Sequence, residues 1–191
     1  MAEHSFTATA RRAQIVAAAI ETIAELGYHK ASFARIAERA GLSSTRLISY
    51  HFAGKDDLIE QATVSVFVEI ERFLTDRMAA ESTPTGTLRA YICANIEFIA
   101  EHPTEMDALA SILLHGQAAT SHDETRSLDA LRGILLAGQE SGEFRDFDTA
   151  VMALAIRRSI ESYPYLAAHL DAAGYAREVA TLFDQATRSQ S

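Results

Sequence analysis

The chain has 191 residues, of which 48% are hydrophobic and 23% are charged, with one Cys and a net charge of −9. This hydrophobic share excludes an intrinsically disordered chain, and a single Cys excludes an intrachain disulfide framework. No apolar run approaches the ~20 residues of a membrane helix, and the apolar segment Ile15–Ile20 is too short for a signal peptide, so we expect a soluble, cytoplasmic protein.

The charge is divided unevenly along the chain. Residues 1–55 contain seven Lys and Arg residues against four acidic ones, a balance of +3, whereas residues 56–191 contain 10 basic and 22 acidic residues, a balance of −12. A basic N-terminal segment followed by an acidic remainder of the chain is typical of a protein in which only the N-terminal segment binds a polyanion. Chance variation of surface charge is the alternative explanation.

The first part of the chain predicts two helices after a loose tail at residues 1–8. Apolar residues at helical spacing predict a first helix over about Ala8–Leu26, which Gly27 ends. A second, short helix follows the predicted N-cap Ser32, and Gly41 breaks it. Because a helix this short is marginal on its own, its apolar face must rest on the first helix.

A third helix is predicted after the Ala-Gly-Leu-Ser turn, with Ser43 as its N-cap and Gly54 at its end. On a helical wheel, one arc faces inward, and the opposite face presents a guanidinium, a hydroxyl and a phenol but no carboxylate. The inward residues are Leu47, Ile48, His51 and Phe52, and the outward ones are Arg46, Ser49 and Tyr50. Gly41 can adopt a positive φ without Cβ strain, so the turn sets the two short helices at a steep angle. Residues 32–52 are therefore predicted to form a helix-turn-helix.

The rest of the chain predicts further helices and no strands, so the predicted fold class is all-α. A long helix over about Lys55–Ala80, about 39 Å at 1.5 Å per residue, is followed by a linker at Glu81–Gly86. Gly142 and Pro164 are expected to end or kink the helices that they follow or interrupt. The later helices are predicted near Thr87–Glu101, Thr104–Gly116, Glu124–Ser141, Thr149–Leu170 and Gly174–Arg188.

The outward face and first turn of the third helix suit the major groove of DNA. An Arg there can pair with guanine through two hydrogen bonds, and hydroxyls reach bases or phosphates. We predict these DNA-contacting residues: Ser32, Ser43, Ser44, Thr45, Arg46, Ser49, Tyr50, His51 and Lys55. The structural alternatives are that the serines only cap helices, that Tyr50 packs on a neighbouring helix, that His51 is half-buried and that Arg46 is a solvated surface charge.

Three stretches carry a resemblance to a known family. They are Ala-Ser-Phe-Ala-Arg-Ile-Ala-Glu-Arg-Ala-Gly-Leu-Ser at 31–43, Leu-Ile-Ser-Tyr-His-Phe at 47–52 and Gly-Lys-Asp-Asp-Leu at 54–58. Together they resemble the DNA-binding head of TetR-like (tetracycline-repressor-like) transcriptional regulators. The resemblance implies a helix-turn-helix DNA-binding domain at residues 1–55 and a helical ligand-binding and dimerisation domain at residues 56–191. It also implies a homodimer that binds double-stranded DNA at a palindromic operator.

The resemblance further implies a small-molecule pocket within the helical body. Six polar, aromatic or soft residues on two apolar helices are predicted to line it: Tyr91, Asn95, Phe98, His102, Met106 and His115. A mostly apolar cavity with a few polar groups would have this composition. An ordinary core whose polar groups are satisfied would have it too.

The predicted dimer interface lies on the later helices. The stretch at 135–145 is similar to the one that ends a dimer helix in many TetR-like proteins, and the predicted interface residues are Leu131, Leu135, Arg157, Arg158 and Glu161. Spacings of three and four residues let both Arg side chains reach Glu161. The alternatives for the two Arg residues are a contact with an anionic ligand and a plainly exposed face.

The sequence thus predicts a transcriptional repressor that an unknown small-molecule effector releases from its operator. The effector would stabilise a dimer in which the spacing of the two DNA-binding domains no longer matches successive major grooves. The long helix after the DNA-binding domain is predicted to transmit this change. The sequence contains no His-Glu-x-x-His, no Cys pair and no Gly-x-Ser-x-Gly, so we predict no enzyme activity, no metal and no cofactor. The alternative function is an all-helical adaptor that binds protein partners without contacting DNA.

Overall fold

In the computed structural model, the chain is built from α-helices. The structure describes residues 2–115, 120–167 and 169–189, and only the backbone of residues 2–7 and 120–127 within them. The helices are α1 (Ala2–Leu26), a 3-10 turn (Tyr28–Lys30), α2 (Phe33–Arg39), α3 (Arg46–His51), α4 (Lys55–Met78), α5 (Pro84–Glu101), α6 (Pro103–His115), α7 (Thr120–Glu140), α8 (Thr149–Glu161), α9 (Tyr163–Leu166) and α10 (Ala172–Thr187). One isolated bridge joins Phe144 to Arg188, and the predicted all-α class is confirmed. No helix in the described ranges is both long enough and apolar enough to cross a membrane.

The N-terminal helix is longer than predicted. We expected a loose tail at residues 1–8, but the backbone is helical from Ala2 onward. That prediction is wrong because nothing before Gly27 breaks a helix: the segment contains no Pro and no Gly, and Ala is frequent in it. Gly27 ends α1 with a φ of 82°, as predicted.

Proline positions account for two further helix boundaries. Helix α5 begins at Pro84, earlier than predicted, because Pro is well suited to the first position of a helix, where its missing N–H costs no hydrogen bond. Thr83 caps this start, since its Oγ1 accepts a hydrogen bond from Gly86 N–H at 3.1 Å. Pro164 was predicted to kink or end its helix; α8 ends at Glu161, and Pro164 lies in the first turn of the next helix, α9. The predicted end of the α6 segment at Gly116 lies outside the described residues.

The described residues pack into two compact units. Unit 1 contains α1, the 3-10 turn, α2, α3, α4 as far as Val68, and α6, whereas unit 2 contains α4 from Glu69, α5 and α7 to α10. Helix α6 belongs to unit 1 because it packs along α1. The division into a DNA-binding head at residues 1–55 and a body at residues 56–191 remains a prediction about function.

The core of unit 1 takes a few apolar residues from each helix. Ile15 and Ile23 of α1, Ile36 of α2, Ile48 of α3 and Leu58 of α4 are all fully buried. Helices of six and seven residues are too short to be stable alone, so α2 and α3 depend on this shared core. Unit 1 is therefore a scaffold that holds two short helices in place.

The core of unit 2 is built around α5 and α10, which pack along each other. Its largest fully buried side chains are Ile92, Ile96, Leu131, Leu135, Ile156 and Ile160. Helix α7 reaches this core closely at Gly138, where any Cβ would overlap the ring of Phe144. Gly142 then ends α7 with a φ of 77°, as predicted.

Candidate nucleic-acid interface

Helices α2 and α3 and the turn between them form the predicted helix-turn-helix. Ser32 is the N-cap of α2, as predicted, and its Oγ accepts a hydrogen bond from Arg35 N–H at 3.4 Å. After α2, Gly41 has a φ of 63°, a left-handed conformation that a residue with a Cβ adopts only with strain. Leu42 N–H donates to Ala37 O at 2.8 Å and closes the turn. The turn therefore has the conformation that the sequence predicted.

The start of α3 differs from the prediction. The helix begins at Arg46, directly after Thr45, so the predicted N-cap at Ser43 is wrong. The N-cap is Thr45, whose side chain makes no capping hydrogen bond, and Ser44 Oγ accepts a hydrogen bond from Arg46 N–H at 3.1 Å. With three hydroxyl residues in a row, a sequence pattern does not show which hydroxyl binds the backbone. All three residues are exposed, so their hydroxyls remain accessible.

The outward face of α3 is exposed, as predicted. Tyr50 is 81% exposed, and Arg46 and Ser49 are exposed beside it, whereas Ile48 is fully buried. Leu47 differs from the prediction: it is 37% exposed, although the helical wheel places it on the inward arc. In a six-residue helix the buried arc is narrow, and Leu47 lies at its edge. The exposed surface of α3 therefore combines a guanidinium, a hydroxyl, a phenol and an isobutyl group.

His51 and Tyr50 pack against each other at the end of α3. Their rings meet edge to face, with centroids 5.1 Å apart and an interplanar angle of 86°. The prediction that His51 is half-buried is confirmed, and its ring restrains the Tyr50 ring without burying it. The DNA contacts predicted for both residues remain predictions.

The cationic side chains of α2 and α3 have different surroundings. Arg39 of α2 is paired with two carboxylates of α1, that of Glu21 at 3.3 Å and that of Glu25. Helix α3 contains no acidic residue, and the Arg46 guanidinium forms no ion pair with any carboxylate in the described part of the chain. The charge of Arg39 is therefore compensated locally, while the charge of Arg46 is available to an external anion.

Lys55 starts α4 beside the helix-turn-helix. Its Nζ donates to Tyr28 O at 2.8 Å and lies 4.6 Å from the centroid of the Tyr28 ring. An ammonium group has three N–H donors, and this side chain is only half-buried, so the contacts leave a donor for a phosphate. Lys55 thus has a structural role that the sequence did not reveal, in addition to the predicted phosphate contact.

Two side chains of α1 reach the C-terminal ends of the short helices. Arg12 Nη1 donates to His51 O at 2.7 Å, and Arg12 Cζ lies 4.5 Å from the centroid of the Phe52 ring. Gln14 Nε2 donates to Ala40 O at 2.7 Å. Carbonyls at the ends of helices have no partner within their own helix, so both bonds satisfy such groups. These contacts join residues 39 and 26 positions apart, so no local sequence pattern indicates them.

Three of the predicted ligand-contacting residues, Tyr91, Asn95 and Phe98, are buried on α5 in unit 2. Asn95 Nδ2 donates to Tyr91 O at 2.8 Å within the helix. Phe98 packs edge to face against Phe73, with ring centroids 5.3 Å apart. These contacts fit the alternative of an ordinary core with satisfied polar groups, and a ligand contact remains a prediction.

The other three predicted ligand residues, His102, Met106 and His115, belong to unit 1. His102 and Met106 are half-buried, whereas His115 is exposed and its Nδ1 donates to Ser111 O at 3.0 Å. The side chains of His102 and Met106 are therefore partly accessible to solvent, and that of His115 is more accessible. Whether they contact a ligand remains a prediction.

A small cavity lies elsewhere in unit 2. Its lining residues are Thr85, Leu88, Arg89, Phe144, Ala180, Asp184 and Thr187. Its volume of about 10 Å³ is near the lower limit for a single water molecule. None of the predicted ligand residues lines this cavity.

The predicted dimer residues of α7 are buried within their own chain. Leu131 and Leu135 both have 0% exposure and belong to the core of unit 2, so their burial is accounted for within one chain, and a contact with a partner remains a prediction. Their helical spacing marks an apolar face but does not show whether that face meets its own chain or another. Leu136, one position further along the same helix, is exposed.

The predicted ion pairs of α8 are confirmed. Arg157 Nε donates to Glu161 Oε1 at 2.6 Å, and Arg158 Nη1 donates to the other oxygen of the same carboxylate. Because all three residues lie on one helix, the cluster is satisfied within one chain. Its place at a dimer interface remains a prediction.

Among the residues of unit 2 whose side chains the structure describes, burial and pairing shift the pKa of three groups. Burial raises the pKa of the Cys93 thiol and that of the Tyr175 phenol, whose hydroxyl donates to Ser159 O at 2.6 Å. The hydrogen bond to Glu97 raises the pKa of Arg77. None of the three lies on α1, α2 or α3, so these shifts reflect the packing of unit 2.

Comparison with known proteins identifies the N-terminal domain. Residues 15–62 match the family described as bacterial regulatory proteins, tetR family. The chain is 38% identical over 88 residues to HTH-type transcriptional regulator BetI 1 from Chromohalobacter salexigens. That match covers 46% of this chain and 43% of the relative, so the chain matches less than half of the relative's length.

Solved structures share the fold over most of the chain. A bacterial regulatory protein in the tetR family from Rhodococcus RHA1 aligns with a TM-score of 0.79 at 18% identity, covering 95% of this chain and 98% of that one. Transcriptional regulator FadR from Bacillus subtilis, solved in complex with stearoyl-CoA, aligns with a TM-score of 0.73 at 24% identity, covering 88% of this chain and 95% of that one. At these identities the likeness concerns the fold alone. Residues 15–62 thus match the tetR-family model, and the fold of the chain is TetR-like over most of its length.

Proposed function

We propose that the protein is a sequence-specific DNA-binding transcriptional regulator. The observation that carries this proposal is the outer face of α3, on which Arg46, Ser49 and Tyr50 are exposed and no carboxylate is present. DNA phosphates attract such a face and repel one that carries acidic groups. A regulator of this kind acts by binding alone, so the proposal includes no catalytic step and no cofactor.

In this proposal α3 enters the major groove of double-stranded DNA. The planar guanidinium of Arg46 donates to O6 and N7 of a guanine, and Ser49 and Tyr50 offer hydroxyls to base edges or phosphates. The exposed part of Leu47 suits the methyl group of a thymine. The remaining predicted contacts, which hold the domain in register on the DNA backbone, are Ser32, Ser43, Ser44, Thr45, His51 and Lys55.

The proposal places two copies of the chain on one operator. Helices α8 and α10, which contact each other in unit 2, carry large exposed apolar side chains: Val151 is 67%, Leu154 46% and Leu182 58% exposed. Apolar surface of this kind supports a homodimer. A two-fold dimer presents its two α3 helices to successive major grooves, about 34–36 Å apart, so the operator would be a palindrome.

We further propose that a small molecule releases the protein from its operator and that the protein acts as a repressor in the cytoplasm. FadR, which shares this fold, is solved with stearoyl-CoA, which supports a ligand in a fold of this kind. Helix α4 contributes to both units and is the element through which release would act. A coupling of about 1–3 kcal/mol would weaken operator binding about 5–150-fold.

A selection of bound duplexes from a random library tests the proposed function. We expect enrichment of a palindrome whose half-sites lie one helical turn, or a multiple of it, apart. The enriched duplex and a scrambled one are then compared by fluorescence anisotropy over a salt series, and we expect tighter, salt-sensitive binding of the enriched duplex. If no sequence is enriched and no duplex binds at low salt, the adaptor alternative is favoured instead.

A further inference from the structure

Arg12 of α1 is held between the end of α3 and an aromatic ring. Its Nη1 donates to His51 O at 2.7 Å, and its Cζ lies 4.5 Å from the centroid of the Phe52 ring. Arg12 is half-buried and Phe52 is buried. The guanidinium therefore has a backbone acceptor and a π-face inside unit 1, in contrast to the exposed guanidinium of Arg46.

The bond from Arg12 acts on a helix that has few other restraints. Helix α3 has six residues, and Ile48 is its one buried residue. The last four carbonyls of a helix have no partner within it, and His51 O is one of these. A cation at this end also lies at the negative pole of the helix dipole. Arg12 thus adds a directional contact at the end of α3 opposite to the hydrogen bond between Arg46 N–H and Ser44 Oγ.

A second side chain of α1 makes the corresponding contact with α2. Gln14 Nε2 donates to Ala40 O, the carbonyl of the α2 C-cap, at 2.7 Å. Since Arg12 and Gln14 lie two residues apart on α1, one helix holds the C-terminal ends of both members of the helix-turn-helix. The orientation of α3 relative to α2 is therefore fixed by α1 as well as by the turn at Gly41.

We propose that Arg12 is a positioning residue that sets the orientation of α3 and thereby the sequence specificity of DNA binding. This inference rests on the proposed function. Hydrogen bonds to base edges tolerate little misplacement, whereas attraction to phosphates is long-ranged and tolerant of it. Losing the bond to His51 O therefore weakens recognition of the correct sequence and leaves general attraction to DNA intact.

The first experiment compares Arg12→Ala, Arg12→Lys and the wild type on the enriched and the scrambled duplex. For Arg12→Ala we expect about a tenfold loss of affinity for the enriched duplex, the cost of about one charged hydrogen bond, with affinity for the scrambled duplex and the salt slope unchanged. Arg12→Lys keeps a charged donor, so we expect its ratio of affinities for the enriched and the scrambled duplex to lie between those of Arg12→Ala and the wild type. An equal loss of affinity for both duplexes, with the slope of log affinity against log salt concentration smaller by about one, would show that Arg12 contacts a phosphate. That result would overturn the inference.

Arg11→Ala is the matched control for charge. Arg11 is the neighbouring residue on α1, it is exposed, and its Nη1 donates to Gln14 Oε1 within the same helix at 2.8 Å. This variant loses the same positive charge without touching α3. We expect its ratio of affinities for the two duplexes to equal that of the wild type, and a ratio reduced as much as in Arg12→Ala would contradict the inference.

The second experiment needs no DNA and separates this inference from the proposed function. Hydrogen–deuterium exchange of the peptide over residues 46–52 should be faster in Arg12→Ala than in the wild type, with Arg12→Lys intermediate and the peptide over residues 176–187 unchanged. If Arg12→Ala does not fold, the same comparison between Arg12→Lys and the wild type decides. If the peptide over residues 46–52 exchanged at the same rate in the variants as in the wild type, the inference would be overturned. A wild-type protein that binds no duplex would instead overturn the proposed function.

Discussion

At the scale of single residues, Arg46 tests the outer face of α3 most directly. Its side chain is exposed, so Arg46→Ala removes no contact that stabilises unit 1. We expect the affinity for the enriched duplex to fall by about 1–3 kcal/mol and the preference at one base position to be lost, with the unfolding temperature unchanged. Anisotropy on duplexes substituted at each position in turn measures this. An equal loss on every duplex would show that Arg46 contacts a phosphate and reads no base.

Lys55 tests the contact with the DNA backbone. We expect Lys55→Ala to weaken binding to all duplexes alike and to lower the salt slope by about one, because it removes a phosphate contact. It also removes the hydrogen bond to Tyr28 O, so a lower unfolding temperature should accompany the loss. Lys30→Ala is the control, since Lys30 is an exposed lysine of the 3-10 turn. A lower unfolding temperature with an unchanged salt slope would leave Lys55 only its structural role.

Cys93 reports the packing of unit 2 through its pH dependence. Burial raises the pKa of this thiol, and only the thiolate reacts with alkylating reagents. We therefore expect slower alkylation by iodoacetamide in the folded protein than in the unfolded chain, with the midpoint of the pH profile moved upward. Because the thiol has a lower pKa in the unfolded chain, it deprotonates there at a lower pH than in the folded protein. The contribution of Cys93 to stability is therefore present below the unfolded-state pKa and is lost as pH rises through the folded-state pKa. Identical profiles for folded and urea-unfolded protein would contradict this.

At the scale of elements, two glycines of α7 give a matched pair of predictions. Gly138 is buried, and any Cβ there would overlap the Phe144 ring, whereas Gly133 is exposed with no atom within 4 Å of an added Cβ. We expect Gly138→Ala to lower the free energy of unfolding by about 1–3 kcal/mol through overpacking. Gly133→Ala should raise it by about 0.5–1 kcal/mol, because Ala loses less backbone entropy in a helix. Urea denaturation measures both changes in the free energy of unfolding. If both variants were more stable than the wild type, the Phe144 ring would have to move aside freely in Gly138→Ala.

Most elements could be predicted from the sequence because their signals are local. The cap at Ser32, the turn at Gly41 and the break before Pro164 each depend on neighbours within a few residues, and each is confirmed. The errors arose where several residues could serve one local role. Three consecutive hydroxyls compete at the start of α3, and Pro84 suits a linker as well as a helix start. The outward face of α3 was predictable for the same reason, since a helical wheel needs only one helix.

At the scale of the whole molecule, the missed features are those that join distant parts of the chain. A helical pattern showed that Leu131 and Leu135 share an apolar face, but only the packing of unit 2 shows that this face is used within the chain. The bond from Arg12 to His51 O and the packing of α6 along α1 are equally invisible to a local pattern. The candidate interface was therefore predicted as a surface, while the contacts that hold this surface in place were not.

The proposed dimer gives the last prediction. Val151 is 67% exposed on α8, so Val151→Glu should leave the stability of the single chain unchanged while placing a charge in the proposed interface. By light scattering we expect the wild type to be a dimer and Val151→Glu to be a monomer at the same concentration. Binding to the palindromic duplex should weaken with the loss of the second contact, while binding to a single half-site stays the same, because α3 is untouched. Val64→Glu, on the part of α4 in unit 1, makes the same kind of change at another exposed valine and should leave the dimer intact. A Val151→Glu protein that remains dimeric would show that the two copies associate through a different surface.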